Sequence, residues 1–250
     1  MPVPSLSSKQ AFITGLKDGL PIGLGYISVS FTFGMMAVTR GLPAWSAILI
    51  SFTNLTSAGQ FAGLDTIAAG GPFVEIALVQ LVINLRYALM SLSWSQKLPS
   101  DFKFWQRFVI AFGDTDEIFA VSARRHDTGL PLTFFYMLGL MALPILCWTG
   151  GTVGGAFASA VLPAAVRSAL GLAIYGMFIA IVVPPAREDK AVRTVALAAV
   201  ALSCALHFLP GLRRLSSGFA IIICGVAASA LGAACFPTAD TAAPDEEVLL

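Results

Sequence analysis

Long apolar runs, separated by short charged or Pro/Gly-rich breaks, dominate the pattern of this chain. A helix needs about 20 predominantly apolar residues to cross a ~30 Å hydrocarbon core, so runs of this length predict membrane-spanning helices. The pattern therefore predicts an all-α, polytopic membrane helix bundle. Its clear spans are residues 20–38, 74–94, 131–149, 166–184, 192–209 and 216–236.

Two further apolar segments are ambiguous, because polar residues interrupt them. Residues 46–70 are long enough to span, but they contain Asn54, Thr56, Ser57, Gly59 and Gln60. Residues 108–122 are short and contain three carboxylates. Each segment is either a full crossing or a discontinuous, re-entrant element, so the bundle is expected to have six to eight membrane segments.

The distribution of basic residues favours one topology, because cytoplasmic loops carry an excess of Lys and Arg. If both ambiguous segments are re-entrant and the N-terminus is cytoplasmic, ten basic residues lie inside and four outside; if both cross, the count is seven against seven. The first arrangement is preferred, and both place the two termini in the cytoplasm. Its inside residues are Lys9, Lys17, Lys97, Lys103, Arg107, Arg124, Arg125, Arg187, Lys190 and Arg193, and its outside residues are Arg40, Arg167, Arg213 and Arg214.

Composition supports a membrane protein over a soluble one. Only 12% of the residues are charged and 57% are apolar, whereas soluble domains carry about 25% charged residues. The net charge of +1 gives no reason to expect a nucleic-acid partner, and four cysteines without a CxxC pair predict neither a zinc site nor a disulfide framework. Residues 1–236 are predicted to form the membrane domain, and the acidic residues 237–250 a disordered cytoplasmic tail.

Arg86 is the most unusual charge, because it falls near the middle of the run at 74–94. A charged side chain at this depth costs about 2.5–3.5 kcal/mol on insertion scales and needs a partner or a cavity. On a helical wheel, Asn84 and Tyr87 share a face with Gln80, whereas Arg86 falls nearly opposite. Arg86 either joins two helices or holds a substrate carboxylate, to which its planar fork of donors is suited.

Three other segments are candidates for function. The run from Ser51 to Phe61 is a poor continuous helix and predicts either a broken helix lining a cavity or close helix packing, with Gln60 bonding between helices. In the run at 113–117, Asp114 and Glu117 fit a capping box, which leaves Asp116 to pair with Arg86 or to carry a proton. The third segment starts the first span: Pro21 suits the first turn of a helix, or a helix break lies at Pro21, Gly23 and Gly25.

Taken in order, these segments resemble the AzlC family of branched-chain amino acid permeases. The matching runs cover roughly residues 15–140 and are GLPIGLGYISVSFTFGMMAVTRGLPAWSA, SFTNLTSAGQFAGL, NLRYALMSLS, FGDTDEIFAV and YMLGL. The resemblance implies an exporter of branched-chain amino acids, sometimes of methionine, that works with a small AzlD-type membrane subunit in the bacterial inner membrane. Family members often carry His at the position of Tyr87 and aromatic residues at Ser57-Ala58, so substrate specificity is expected to differ if these positions touch substrate.

Two functional hypotheses remain. In the first, the chain is a secondary transporter whose substrate residues are Arg86, Asn84, Gln60, Gly59, Ser57, Asn54 and Tyr87. Its residues for either ion pairing or proton coupling are Asp114, Asp116 and Glu117. In the second, it is a channel or scaffold subunit whose polar residues join helices and a partner chain. No nucleophile, metal-ligand or phosphate-loop motif is present, so neither an enzyme nor a cofactor is expected.

Overall fold

A computed structural model describes residues 7–163, 165–166, 169, 176, 179, 182–209 and 215–237. Every regular element in these residues is helical, which confirms the prediction of an all-α, polytopic membrane protein. The helices are α1 (Ser8–Thr39), α2 (Ala44–Thr53), α3 (Ala58–Ala68), α4 (Phe73–Lys97), α5 (Phe104–Phe112), α6 (Asp116–Asp127), α7 (Phe134–Ala158), α8 (Lys190–Phe208) and α9 (Ser217–Cys235).

The chain divides into two compact units, Met1–Gly176 and Met177–Leu250. The first unit contains α1 to α7, and the second contains α8 and α9, which pack against each other. Helices α1, α4, α7, α8 and α9 are long and apolar enough to cross a membrane. Most of the fourth predicted span, residues 166–184, and nearly all of the predicted tail at 237–250 lie outside the described residues.

A glycine seam between α1 and α7 is the framework of the first unit. A Cβ added to Gly15 or Gly34 would overlap the backbone of α7, and one added to Gly139 or Gly155 would overlap the backbone of α1. Gly15 faces the start of α7 and Gly34 faces its last turns, so the two helices run in the same direction. We call these four glycines the α1–α7 seam, and we name the two ends of this unit the Ser8 end and the Thr39 end after the bounds of α1.

Helix α1 is longer than the sequence pattern predicts and is unbroken. It starts at Ser8 with a capping box between Ser7 and Gln10, and it continues through Pro21, Gly23 and Gly25 to Thr39. The predictions that a helix begins near Pro21, or breaks there, are therefore wrong. The charged residues before Pro21 prolong the helix beyond the apolar run, and Gly23 faces α7 instead of a gap.

Helices α2 and α3 form a re-entrant hairpin, which we call the first hairpin. The chain leaves α1 at Arg40, and Arg40 forms an ion pair with Asp65 near the end of α3, so the hairpin begins and ends at the Thr39 end. Between these points it reaches inward, because Ser51 Oγ lies 2.7 Å from Thr152 Oγ1. Helix α2 has 10 residues, about 15 Å at ~1.5 Å per residue, which is half of a ~30 Å core.

Helices α5 and α6 form a second hairpin that enters from the opposite end. Helix α5 begins beside the start of α7, where the Trp105 and Phe134 rings are 5.0 Å apart. The hairpin turns at Gly113, which packs against Met141, one to two turns into α7. Helix α6 then returns to the Ser8 end, where Asp127 accepts a hydrogen bond of 2.8 Å from Lys97 at the end of α4.

These contacts decide between the two arrangements that the sequence left open for residues 46–70 and 108–122. Both segments are re-entrant in the first unit. Between α1 and α7 in the sequence, only α4 runs from the Thr39 end of this unit to its Ser8 end. The tips of the two hairpins are linked at middle depth through α1 and α7, because Tyr26 bonds the second tip, Trp148 bonds the first, and the two rings are in contact. Gln60 and Asp114 are covered by protein there, whereas the side chains of Arg86 and Asp116 are each 45% exposed.

Candidate functional site

The first hairpin breaks at Asn54–Ser57, as the sequence predicted for a broken helix. Asn54 ends α2 in an extended conformation, and Ser57, which precedes α3, has φ of 47°. A positive φ is uncommon for a residue other than glycine and often marks a functional or strained position. No side chain caps the N-terminus of α3, so the first N–H groups of this helix face the break without a side-chain acceptor.

Gln60 joins three helices within this break. Its Nε2 donates to Ser51 Oγ at 3.0 Å, and its Oε1 accepts from Trp148 Nε1 at 3.1 Å. The Gln60 residue is 2% exposed. Both ends of the amide are thus engaged by protein, so in this conformation Gln60 positions α2, α3 and α7 and offers little to a ligand. This is the helix-joining alternative that the sequence analysis weighed.

Helix α4 places its amide side chains against Gly59. Gln80 Nε2 donates to the Gly59 carbonyl oxygen at 2.7 Å, and Asn84 Nδ2 donates to Gln80 Oε1 at 3.0 Å. Asn84 Oδ1 and the hydroxyl of Thr56 are buried and have no hydrogen-bond partner in the described structure. Asn84 and Gly59, which the sequence singled out separately, therefore belong to one cluster.

The second hairpin breaks at Gly113–Thr115 and holds the carboxylates. Thr115 caps α6, because its side chain accepts from the backbone N–H of Ile118. The expected capping box between Asp114 and Glu117 is therefore wrong by one residue. Asp114 is instead free to accept a hydrogen bond of 2.6 Å from Ser91 Oγ of α4, and its second carboxylate oxygen, Oδ1, is buried without a partner.

Arg86 forms an ion pair with Asp116, the carboxylate that the sequence proposed as its partner. Its guanidinium also donates to the Tyr87 hydroxyl at 3.2 Å and lies 5.0 Å from the centre of the Tyr87 ring. The helical wheel separated Arg86 from Tyr87, but the long arginine side chain reaches around α4. A carboxylate substrate that binds Arg86 would compete with Asp116 for the guanidinium.

Tyr26 and Trp148 connect the two breaks, and the sequence analysis did not identify either residue. The Tyr26 hydroxyl donates to Glu117 Oε2 at 2.6 Å and lies 2.8 Å from Thr115 Oγ1. Its ring meets the Trp148 ring edge-on at 5.2 Å, and Trp148 binds Gln60 of the first hairpin. A buried tyrosine or tryptophan usually needs a polar partner, which is the signal that could have drawn attention to both.

The comparisons with known proteins agree with this architecture. The family model described as AzlC protein matches residues 21–162, which include both hairpins. An uncharacterised membrane protein of Archaeoglobus fulgidus is 33% identical over 207 residues, covering 82% of this chain and 89% of its own. The inner membrane protein YgaZ of Escherichia coli is 30% identical over 171 residues, covering 67% of this chain and 70% of its own.

A third relative, an uncharacterised membrane protein of Helicobacter pylori, is 29% identical over 114 residues, which is 44% of this chain and 49% of its own. No solved structure matches the chain. The family match spans more than half of the chain and contains every residue of the two hairpins and of α4. The chain is therefore a membrane protein of the AzlC family.

Proposed function

We propose that this protein is a secondary transporter that exports branched-chain amino acids, and in some conditions methionine, across the bacterial inner membrane. The observation that supports this most directly is the pair of re-entrant hairpins, which enter from opposite ends and carry polar tips that are linked through Tyr26 and Trp148. Broken helices at membrane depth are a recurring feature of substrate sites in secondary transporters, where alternating access moves one part of the bundle around a central site. The substrate class follows from the resemblance to branched-chain amino acid permeases.

The candidate partner of the substrate carboxylate in this site is Arg86, whose planar guanidinium suits a carboxylate and which now pairs with Asp116. The exposed apolar side chains of α4 and the aromatic rings of Tyr26 and Trp148 would contact the aliphatic side chain of the substrate.

Proton coupling would follow from competition at Arg86. When a substrate carboxylate takes the guanidinium, Asp116 loses its counter-ion inside a low-dielectric region. An unpaired carboxylate at membrane depth is costly even when it is only half-buried, as Asp116 is, and binding a proton removes that cost. Substrate binding and protonation of Asp116 would then be linked, with Glu117 held by Tyr26 as a second acceptor.

The positions of the basic residues support a cytoplasmic Ser8 end, and with it two cytoplasmic termini. Among the described residues of the first unit, Arg40 is the basic residue that lies at the Thr39 end. Apart from Arg86 near the middle of α4, the others gather toward the Ser8 end, as the positive-inside rule expects for a cytoplasmic side; they are Lys9, Lys17, Lys97, Lys103, Arg107, Arg124 and Arg125. An AzlD-type subunit is the proposed partner, and the name of YgaZ as an inner membrane protein supports the location.

A scaffold or channel subunit is the second candidate, and the full engagement of Gln60 favours it. In that case the polar groups hold helices together, and the partner subunit carries the substrate.

Efflux of valine, leucine and methionine from cells that express this chain, with and without the small partner, tests the proposal. The informative variant is Arg86→Gln combined with Asp116→Asn, which removes both charges and leaves no unpaired ion. A transporter with this pair at its centre loses export while the protein still inserts and assembles with its partner. Unchanged export by the double variant would contradict the role of the pair, and export without this chain would contradict the transporter itself.

A further inference from the structure

A chain of hydrogen bonds fixes the orientation of two amides beside the first break. The Gly59 carbonyl oxygen only accepts, so the Gln80 group that contacts it at 2.7 Å is the NH2. Gln80 Oε1 then points to Asn84, which donates its own NH2 at 3.0 Å. Asn84 Oδ1 is consequently left as an acceptor, and it is buried with no partner in the described structure.

Oxygen atoms converge on Gly59 from three side chains. A Cβ built on Gly59 would lie 2.6 Å from Gln80 Oε1, 2.6 Å from Thr56 Oγ1 and 3.2 Å from Asn84 Oδ1. Glycine is therefore required if these oxygens are to face one small space. Two of the three, Thr56 Oγ1 and Asn84 Oδ1, are buried and unpartnered. Buried polar atoms in folded proteins almost always have a partner, so this cluster calls for a donor or a cation.

The surroundings select a monovalent, positively charged group. Residues 44–64, which build α2, the break and most of α3, contain no charged side chain. Neutral side-chain oxygens suit Na⁺ or a primary ammonium, whereas divalent cations favour carboxylates.

We propose that Asn84, Thr56 and Gln80 form, around Gly59, a binding site for a small monovalent cationic group. The group is either the α-ammonium of the transported amino acid or a Na⁺ ion, because both seek several neutral oxygen ligands. Only the ammonium source rests on the proposed function; a Na⁺ site would exist whether or not the chain exports amino acids. In the first case the site would hold the amino end of a zwitterion whose carboxylate is bound elsewhere in the same cleft.

Direct binding to the purified full-length chain in lipid nanodiscs tests the site without relying on export. Three probes separate the sources: valine, its analogue 2-ketoisovalerate, which lacks the ammonium, and NaCl against KCl in the absence of amino acid. For an ammonium site, valine binds and the keto acid binds at least tenfold more weakly, with no effect of Na⁺. For a Na⁺ site, Na⁺ raises the melting temperature and K⁺ does not.

Variants at Asn84 connect either signal to this cluster. Asn84→Ala removes the unpartnered oxygen and is expected to weaken the responding probe about tenfold, the equivalent of one charge-assisted hydrogen bond. Asn84→Asp keeps the shape, adds a negative charge and is expected to strengthen binding of the same probe, an outcome that misfolding cannot produce. Gly59→Ala should abolish binding, whereas Gly25→Ala, where nothing lies within 4 Å of the added Cβ, serves as the matched control.

The proposal is overturned if the keto acid binds as tightly as valine while Na⁺ has no effect, or if Asn84→Ala and Asn84→Asp bind every probe like the native chain. It is also overturned if neither valine nor Na⁺ binds, since ordered water alone would then satisfy the oxygens. Failure of the transporter proposal looks different: Na⁺ binds and responds to Asn84, but cells expressing the chain show no efflux.

Discussion

The two hairpins share a topology but differ in the chemistry of their tips. Each enters from one end of the first unit, breaks at middle depth and returns to the same end. The first tip is uncharged and is held by amides and hydroxyls through Gln60, Ser51 and Gln80. The second tip carries Asp114, Asp116 and Glu117, and each of these carboxylates has a different partner.

This difference separates the chemistry of the two tips. The neutral tip offers uncharged amide and hydroxyl oxygens, two of which have no partner in the described structure. The tip of carboxylates, paired with Arg86, Ser91 and Tyr26, can exchange partners and take up a proton. In the function proposed above, the first hairpin recognises part of the substrate and the second couples its movement to charge.

The largest effect is expected at the α1–α7 seam, on which both hairpins rest. Gly155→Ala would drive a Cβ into the Phe31 carbonyl, and Gly139→Ala would do the same at Phe12. Overpacking typically costs about 1–3 kcal/mol, and about 4 kcal/mol or more is expected here because the obstacle is backbone. Thermal unfolding with hydrogen exchange measures this: Gly155→Ala should expose α2 and α3 first, and Gly139→Ala should expose α5 and α6 first.

Gly150→Ala is the control for the seam, because nothing lies within 4 Å of its added Cβ. It should raise stability by about 0.5–1 kcal/mol, as alanine does in place of glycine inside a helix. Equal effects of Gly150→Ala and Gly155→Ala would mean that the two helices do not pack at this seam.

The second largest effect is expected from the charged tip. Asp116→Asn leaves Arg86 without its counter-ion and should lower stability by about 2.5–3.5 kcal/mol, the cost of a charge near the centre of a bilayer. The yield of folded protein in native membranes and its melting temperature report the loss. Adding Arg86→Gln should restore most of it, and a double variant as unstable as Asp116→Asn alone would show that the ion pair is not the cause.

The neutral tip should respond less. Gln60→Leu removes the partner of Trp148 Nε1 and of Ser51 Oγ, so a cost of about 1–3 kcal/mol is expected from buried groups left unpaired. Gln60→Glu is the sharper variant, because it keeps the acceptor for Trp148 but loses the donor to Ser51. A smaller loss with Glu than with Leu at neutral pH would contradict the view that this tip is built for uncharged groups.

The smallest effect concerns the base of the second hairpin, outside the bilayer. The hydrogen bond from Lys97, with a weaker contribution from His126, holds the pKa of Asp127 below its usual range. A carboxyl whose pKa is lowered by folding stabilises the fold above its unfolded pKa, and this contribution disappears as the pH falls through the lowered value. As the pH falls below about 4, the usual pKa of an aspartate, the melting temperature of the native chain should therefore fall slightly more than that of Asp127→Asn.

Asp65→Asn is the matching variant for the first hairpin, whose base is held by the ion pair with Arg40. If the melting temperatures of the native chain and of Asp127→Asn depend on acid pH in the same way, the pairing of Lys97 with Asp127 does not stabilise the second hairpin.

Much of the membrane architecture could be predicted from local patterns. The predicted spans at 74–94 and 131–149 begin within three residues of the first residues of α4 and α7. The polar interruptions at 54–60 and 114–117 also marked the two helix breaks correctly. The pairing of Arg86 with Asp116 was also expected, because a deep cation needs an anion and few were available. Each of these inferences depends on a cost that a residue carries wherever its neighbours are.

Predictions failed where a residue's role depended on a distant helix. Pro21 and Gly23 looked like a break because nothing in the local sequence shows that α7 lies against α1. Asp114 looked like the N-cap of a helix, but it accepts a hydrogen bond from Ser91 of α4 instead. Thr115 caps α6. Tyr26 and Trp148 were missed because their rings resemble ordinary apolar packing until the partner helices are known.

The sequence by itself determined that this protein lies in a membrane, roughly where its helices lie and where they break. The free-energy cost of exposing a long apolar run to water, or of burying a charge, depends on the residue types alone. Only the tertiary structure decided that both broken segments turn back, that Tyr26 and Trp148 link their tips, and which polar atoms remain without a partner. These outcomes depend on contacts between residues about 25 to 90 positions apart, such as Arg40 with Asp65 and Tyr26 with Glu117. No local pattern encodes such contacts, so the partners of the two tips appear only when the helices are packed.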